Sequence, residues 1–222
     1  FDFNAHLNYK YNDKNYFTFE YQNSNNLPNN IYNLHQSSYI NYNWFNNFNN
    51  EKHNSLKVDA TTQWASATLE LNTINDYLYF SNDNSAGLQL VSPKQYDKTI
   101  NYLSIKAGKE IKFWKLGFDN TVLYQKVDQE DDVLNVPELT LRSTLYFSGH
   151  FFKKALFLQT GFVFNYFTKY NADDYNPLIS SFYVQNETQI GDFPMIDFFV
   201  NAKIKQAQVY LKAEHFNSAM TG

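Results

Sequence analysis

Cysteine is absent from the 222 residues of the chain, and methionine (2) and glycine (7) are scarce. Without cysteine there is no disulfide framework, no thiolate metal site and no cysteine nucleophile. Because glycine is scarce, we expect tight turns to rely on Asn, Asp and Lys.

Long apolar segments and an excess of basic residues are also missing. No segment approaches the roughly 18 to 20 consecutive apolar residues of a membrane-spanning helix, so insertion into a membrane would have to use strands, whose hydropathy signal is weak. The net charge of -4, from 22 acidic and 18 basic residues, lacks the basic excess that is typical of nucleic-acid-binding proteins. We therefore expect no nucleic-acid partner.

Aromatic residues are abundant (19%), but polar residues separate them and the mean hydropathy is -0.54. The opening stretch, "FDFNAHLNYKYN", alternates without exception. Its apolar set is Phe1, Phe3, Ala5, Leu7, Tyr9 and Tyr11, and its polar set is Asp2, Asn4, His6, Asn8, Lys10 and Asn12. Strict alternation predicts a strand with one apolar and one polar face.

The same period of two recurs along the chain and predicts about a dozen strands, mostly of the roughly 9 to 11 residues that cross a bilayer at a tilt. The short turns "NDKN", "WAS", "FWK", "SGHFFKK" and "IKQA" alternate with long loops rich in Asn and Asp. To keep this alternation, residues 23–54 must form one outer loop, although "YINYNW" resembles a strand; the composition of its first part, residues 23–38, predicts a solvated loop. Residues 168–194 must form another, with room for a short hairpin. No convincing helix pattern occurs.

Three environments could cover the apolar faces: a second sheet in a soluble sandwich, a ligand inside a lipocalin-like barrel, or lipid. The strands are longer than the usual five or six residues, and aromatic residues cluster near their ends, as in the girdles of membrane barrels. The polar faces also carry charged residues in mid-strand, which disfavours a small dry interior. These residues are Lys57, Asp59, Glu70, Lys106, Arg142, Lys203, Lys212 and Glu214.

We therefore predict an all-β fold: a transmembrane antiparallel up-and-down β-barrel with lipid outside and water inside. The eight charged residues are candidate pore-lining residues, because rings of mixed charge set the field across an aqueous pore. In the opening strand the apolar set would face lipid and the polar set would face the lumen.

Motifs for catalysis or metal binding are not found. The five histidines have no metal spacing, and there is no G-x-S-x-G, phosphate loop or dinucleotide fingerprint. The carboxylates of "DQEDD" and "NADDYN" lack the spacing of a calcium loop, and we interpret both segments as solvated outer loops. We expect no enzymatic activity, no cofactor and no metal site.

The segments "LHQSSYINYNW" and "FYVQNETQIGDFPMIDFFVNAKIKQAQVYLKAEHFN" resemble the β-barrel porin family of Bacteroidetes-type bacteria, as do "DYLYF" and "TGFVFNYFTKY". The pattern is also similar to that of TonB-dependent receptor barrels. The resemblance covers the whole chain and implies a location in the bacterial outer membrane, with outer-membrane lipid and lipopolysaccharide as surroundings. It further implies a single β-barrel domain over residues 1–222, with more strands beyond both ends.

Three hypotheses for function remain open. The first is a porin-like barrel that gives passive passage to small polar solutes or ions. The second is a plugged or receptor-like barrel that acts as a structural or binding subunit with other outer-membrane proteins, using its long loops. The third is a soluble carbohydrate-binding sheet protein, because exposed aromatic and Asn side chains also suit sugars.

Overall fold

The computed structural model describes residues 2–82 and 90–218, which form β-sheets and one short helix. In chain order the elements are β1 (Asp2–Asn12), β2 (Asn15–Asn26), α1 (Asn30–Asn33), β3 (Leu34–His35), β4 (Trp44–Phe45), β5 (Glu51–Thr61), β6 (Ser66–Asn75), β7 (Leu78–Asn82), β8 (Val91–Gln95), β9 (Ile100–Phe113), β10 (Leu116–Asp128), β11 (Leu139–Phe151), β12 (Leu156–Phe167), β13 (Tyr170–Asn171), β14 (Asp174–Asn176), β15 (Ser181–Tyr183), β16 (Gln189–Ile190), β17 (Met195–Ile204) and β18 (Ala207–Ala213). No helix among the described residues is long and apolar enough to cross a membrane.

Ten strands form one large antiparallel sheet, which we call the wall, in the order β1-β2-β5-β6-β9-β10-β11-β12-β17-β18. Wall strands that follow one another along the chain are neighbours in the sheet, so the up-and-down topology is as predicted. Within the described residues β1 and β18 do not pair with each other, so the wall is an open sheet. At one end, five short turns connect the strands: residues 13–14, 62–65, 114–115, 152–155 and 205–206. We call this the turn end.

The alternation in sequence becomes two chemically different faces in the wall. One row of direct cross-strand neighbours runs across seven strands and is apolar: Leu7, Phe19, Val58, Leu69, Ile105, Tyr124 and Leu139. Leu7 is 63% exposed and Ile105 42% exposed, because no second sheet covers this face in the described part of the chain. The soluble sandwich would have buried it.

The first strand follows the predicted division. Phe3, Leu7 and Tyr9 are exposed on the apolar face, in register with Asn23, Phe19 and Phe17 of β2. Phe1 lies outside the described residues.

Tyr146 packs closely against two glycines on neighbouring strands in the middle of the wall. On the polar face it lies directly between Gly117 of β10 and Gly161 of β12, and its hydroxyl donates a hydrogen bond to Glu110, two strands away. A Cβ at Gly117 would collide with the Tyr146 ring, and one at Gly161 would collide with the Leu145 carbonyl oxygen. These glycines are therefore required for close approach across the strands.

Four long segments at the opposite end of the wall, which we call the outer loops, span residues 27–50, 76–99, 129–138 and 168–194. They hold most of the buried apolar side chains of the described residues. One cluster contains Tyr42, Phe80, Val91, Ile179 and Tyr183, and a second contains Ile74, Tyr96, Ile100 and Val133. Tyr42 of "YINYNW", within the predicted outer loop of residues 23–54, is only 6% exposed, so this loop contributes to a buried core.

The outer loops pack toward the polar face of the wall. Ile74 continues the polar series of β6, two residues beyond Asn72 and four beyond Glu70, so that it lies on the same face. Val133 of the third outer loop belongs to the buried cluster of Ile74. The loops thus cover the outer end of the polar face.

Several element boundaries differ from the sequence predictions. Residues 148–151 of "SGHFFKK" extend β11, so that the turn is limited to residues 152–155. Of "YINYNW", only the final Trp44 enters a strand, and β2 and β5 extend into the predicted 23–54 loop. The hairpin predicted within residues 168–194 is present as β14–β15. The expectation that tight turns use Asn, Asp and Lys holds for Lys205 (φ 53°), but Trp114 (φ 55°) also has positive φ.

Candidate functional site

The polar face of the wall carries the predicted pore-lining residues. Seven of them lie within wall strands, on the face opposite the apolar rows: Lys57, Asp59, Glu70, Lys106, Arg142, Lys203 and Lys212. Glu214 was expected in mid-strand, but β18 ends at Ala213 because the chain turns away there. Whether these residues line a pore stays a prediction.

Opposite charges alternate across neighbouring strands of this face. Lys57 lies directly between Glu20 of β2 and Glu70 of β6. Its ammonium is also 3.1 Å from the Asp59 carboxylate, and the Thr68 hydroxyl donates to Asp59 over 2.6 Å. Cross-strand pairs of opposite charge stabilise a sheet modestly and keep this face hydrated.

Three of the predicted cations on the polar face are uncompensated. Among the residues that the structure describes, Lys106, Arg142 and Lys203 form no ion pair, and Arg142 lies directly opposite the uncharged Thr121 and Asn165. A cation without a fixed counter-charge acts on passing ions more strongly than one in a salt bridge.

A buried carboxylate marks the last hairpin of the wall. Asp197 is 3% exposed, and it is 3.1 Å from the Lys212 ammonium while accepting a hydrogen bond of 2.9 Å from the His215 amide. Lys212 also contacts Glu214 at 2.7 Å. The two predicted residues at positions 212 and 214 therefore belong to one charged group at the start of the outer region.

The outer loops line a cavity of about 980 Å³ that is partly open to solvent. Six carboxylate residues from two loops line it: Glu130, Asp131, Asp132, Asp173, Asp174 and Glu187. The sequence alone predicts "DQEDD" and "NADDYN" to be two solvated loops, but the fold brings them to one cavity.

Tyr96 and Lys98 hold the first of these acidic segments in place. The buried Tyr96 hydroxyl accepts hydrogen bonds from the amides of Glu130 and Asp131, at 3.1 and 3.0 Å. Lys98 forms ion pairs with the same two side chains at 2.7 and 3.1 Å, and these hydrogen bonds raise its pKa. Both partners precede the acidic loop by about 30 residues, so local sequence patterns give no sign of them.

The second acidic segment is tied to the first by amide side chains. Asn186 donates to the Asp132 carbonyl over 2.9 Å and accepts from Asn135 over 2.8 Å. Tyr183 donates to Asp174 over 2.8 Å. The cavity is thus a built feature of the packed loops.

Two groups in or near the cavity have raised pKa values. Asp173 is exposed at the loop surface but lies on the cavity wall, where nearby protein atoms partly desolvate its carboxyl and raise its pKa. Burial, and then the charge of Asp173, raise the pKa of Tyr77 to about 12. Desolvation is therefore the main cause of both shifts, and neighbouring negative charges add to it only at Tyr77.

Metal-binding and catalytic arrangements can be assessed only over the described residues. There, no three His, Asp or Glu side chains are grouped as metal ligands. His53 contacts Glu51 at 2.5 Å, and Glu51 also accepts a hydrogen bond of 2.9 Å from the Leu78 amide. Glu51 thus joins His53 of β5 to the start of β7 in the second outer loop, which is a structural role.

Comparison with solved structures relates the wall to transport barrels. The chain is similar to the copper transporter OprC (TM-score 0.73, 11% identity, 96% of this chain and 33% of that one). It is also similar to the siderophore receptor PirA from Acinetobacter baumannii (TM-score 0.59, 11% identity, 97% and 36%) and to the FrpB iron transporter from Neisseria meningitidis (TM-score 0.58, 14% identity, 96% and 34%). The chain therefore spans about a third of the length of these barrels, and identities this low show the fold alone. No curated protein sequence gives a significant match.

The two-faced wall, its up-and-down order and this structural likeness define an all-β antiparallel sheet similar to part of a TonB-dependent receptor barrel. The chain belongs to the family described as "Putative porin", whose model matches residues 1–222. This membership gives a location in the bacterial outer membrane. Porins are generally not enzymes.

Proposed function

We propose that the chain forms part of a porin-like barrel that allows passive diffusion of small polar solutes or ions across the outer membrane. The supporting observation is the polar face of the wall, where charged residues of both signs follow one another from strand to strand. Such a face suits contact with water and dissolved ions. The protein has no catalytic role in this proposal.

The surroundings in this proposal are outer-membrane lipid and lipopolysaccharide on the apolar face and small polar solutes on the polar face, with no nucleic acid. Two further predictions rest on the sequence resemblance. They are a single domain over residues 1–222 and a Bacteroidetes-type source.

Single-channel recording with the full-length protein in planar lipid bilayers tests the proposal. We expect stepwise ionic currents, and Arg142→Gln should shift the reversal potential toward cation preference because it removes an unpaired cation from the polar face. Lys14→Gln removes the same charge from a turn and should leave the reversal potential unchanged. Folded protein that carries no current would contradict passive diffusion.

A second function is favoured by the outer loops, whose buried clusters pack over the polar face. In this alternative the barrel is closed by its own loops and acts as a receptor-like or structural subunit with other outer-membrane proteins. The same recordings separate the two: a closed barrel carries little current until the loop core is loosened, whereas an open porin conducts without any change to the loops.

A further inference from the structure

Three aromatic rings surround one lysine at the turn end of the wall. The Lys115 ammonium lies 5.1 Å from the ring centre of Trp114, 5.6 Å from that of Phe151 and 5.8 Å from that of Phe147. Each distance is within the range of a cation–π interaction. The tips of two neighbouring hairpins, β9–β10 and β11–β12, thus form a single aromatic–lysine cluster.

The cluster lies on the apolar face of the wall. Phe147 pairs with Leu116, and Phe151 pairs with Leu156, in the rows that continue the apolar series. The Lys115 side chain crosses over Gly149, where an added Cβ would be 3.2 Å from its Cδ. The lysine is therefore held among aromatic rings on the side where the barrel meets lipid.

The adjacent turn presents further cations in an unusual backbone conformation. Phe152, Lys153 and Lys154 have φ values of 51°, 54° and 71°, a region that non-glycine residues seldom occupy and that costs energy. Phe152 is 78% exposed and Trp114 is 82% exposed. The turn thus displays an aromatic ring and two ammonium groups beside the Lys115 cluster.

The turn end of the wall carries an excess of positive charge, which favours an anionic partner. The five turns together contain five lysines and one aspartate, whereas the outer loops contain eleven acidic and three basic residues. Within the described part of the chain, Lys115, Lys153 and Lys154 form no ion pair. Aromatic residues and lysines at a membrane boundary contact lipid headgroups, with the long lysine side chains reaching toward the phosphates.

We propose that the tips of the β9–β10 and β11–β12 hairpins bind the phosphate of an anionic phospholipid headgroup. Lys115 is the central cation, and Lys153 and Lys154 extend the site. The aromatic rings contact the acyl-chain boundary while the ammonium groups contact the phosphate oxygens. This site is independent of whether the barrel conducts.

Titration of the full-length protein with phosphatidylglycerol, followed by native mass spectrometry from a non-ionic detergent, tests the proposal. Phosphatidylcholine serves as the lipid without net charge. We expect phosphatidylglycerol to bind more tightly, and Lys115→Gln to weaken that binding about five-fold, the effect of one cation near a lipid surface. Lys115→Arg keeps the charge and should retain the affinity of the unmodified protein.

Lys14→Gln provides the matched control, because Lys14 is a turn lysine at the same end without an aromatic cage. It should leave phosphatidylglycerol binding unchanged. If Lys115→Gln fails to fold, which its migration on unheated gels reveals, the Lys153→Gln, Lys154→Gln double variant replaces it with the same expected direction. Equal binding of both lipids, or equal losses in Lys14→Gln and Lys115→Gln, would overturn the proposal.

Discussion

In the wall, Leu69 and Leu145 are 39% and 52% exposed although they lie in the middle of strands, whereas in the outer loops Phe80 and Val91 are only 2% and 1% exposed. The apolar side chains of the wall are exposed, as suits contact with lipid, and the backbone N–H and C=O groups are hydrogen-bonded between strands. The outer loops have little regular structure and are held by a buried core, as in a small water-soluble domain. The two regions of the chain are therefore stabilised in different ways: the wall by strand pairing, and the outer loops by a buried apolar core.

The largest effect is expected from the loop core. Phe80→Ala should destabilise the packed loops by about 3–5 kcal/mol, because it empties a site stacked at 4.7 Å on Tyr32. Hydrogen exchange in the outer loops should accelerate while the wall strands stay protected. Leu34→Ala, at a loop side chain that is 59% exposed, is the control and should change little. Loss of protection in the wall as well would mean that the two regions are not separate.

A charge on the apolar face should have the next largest effect. Leu145→Arg lies at the middle of β11 and should cost about 2–4 kcal/mol in lipid vesicles, the range for arginine facing the bilayer interior. Thr144→Arg, one residue away, faces Asp119 on the polar side and should stay within about 0.5 kcal/mol. Urea unfolding in vesicles measures both, and equal costs would contradict the assignment of the two faces.

Glycine substitutions test how tightly the wall is packed around Tyr146. Gly161→Ala should destabilise the wall by about 1–3 kcal/mol, because the new methyl group meets fixed backbone atoms of β11. At Gly108 the nearest atom is the Ser66 hydroxyl, 3.0 Å away on a side chain that can rotate, so Gly108→Ala should cost less. The same unfolding assay compares them, and a reversed order would contradict the Tyr146 contact.

The smallest predicted effect is a pH dependence confined to the outer loops. Because partial desolvation raises the pKa of Asp173 above its ordinary value, the packed loops bind a proton more tightly there than the unfolded loops do. Packing is therefore favoured below the raised pKa and loses this contribution as the pH rises through it. The free energy of opening of residues 168–194, measured by hydrogen exchange, should fall as the pH rises from the ordinary pKa of an aspartate through the raised pKa of Asp173. Asp173→Asn should remove this pH dependence. An unchanged curve in Asp173→Asn would exclude this residue as the source.

The alternation in sequence was sufficient to predict the strands and the two faces of the wall, because a period of two assigns each side chain to one face. Lys57, Glu70 and Arg142 lie on the polar face for that reason, while their place in a pore stays a prediction. The loop core was not predictable in this way, since the hydrogen bond from Asn176 to Tyr42 joins residues 134 positions apart and no local period links them. The acidic cavity was missed for the same reason.

The central claim is that the apolar face of the wall meets lipid and the polar face meets water. The 222 residues contain no cysteine, so single spin labels can be attached at Leu69→Cys and Glu70→Cys in the full-length protein in lipid bilayers, after replacement by serine of any cysteine outside these residues. Collision rates with oxygen, which concentrates in lipid, and with a water-soluble nickel chelate then compare the two neighbouring positions. The account predicts a higher ratio of oxygen to nickel collisions at position 69 than at position 70, and an equal or reversed ratio would contradict it.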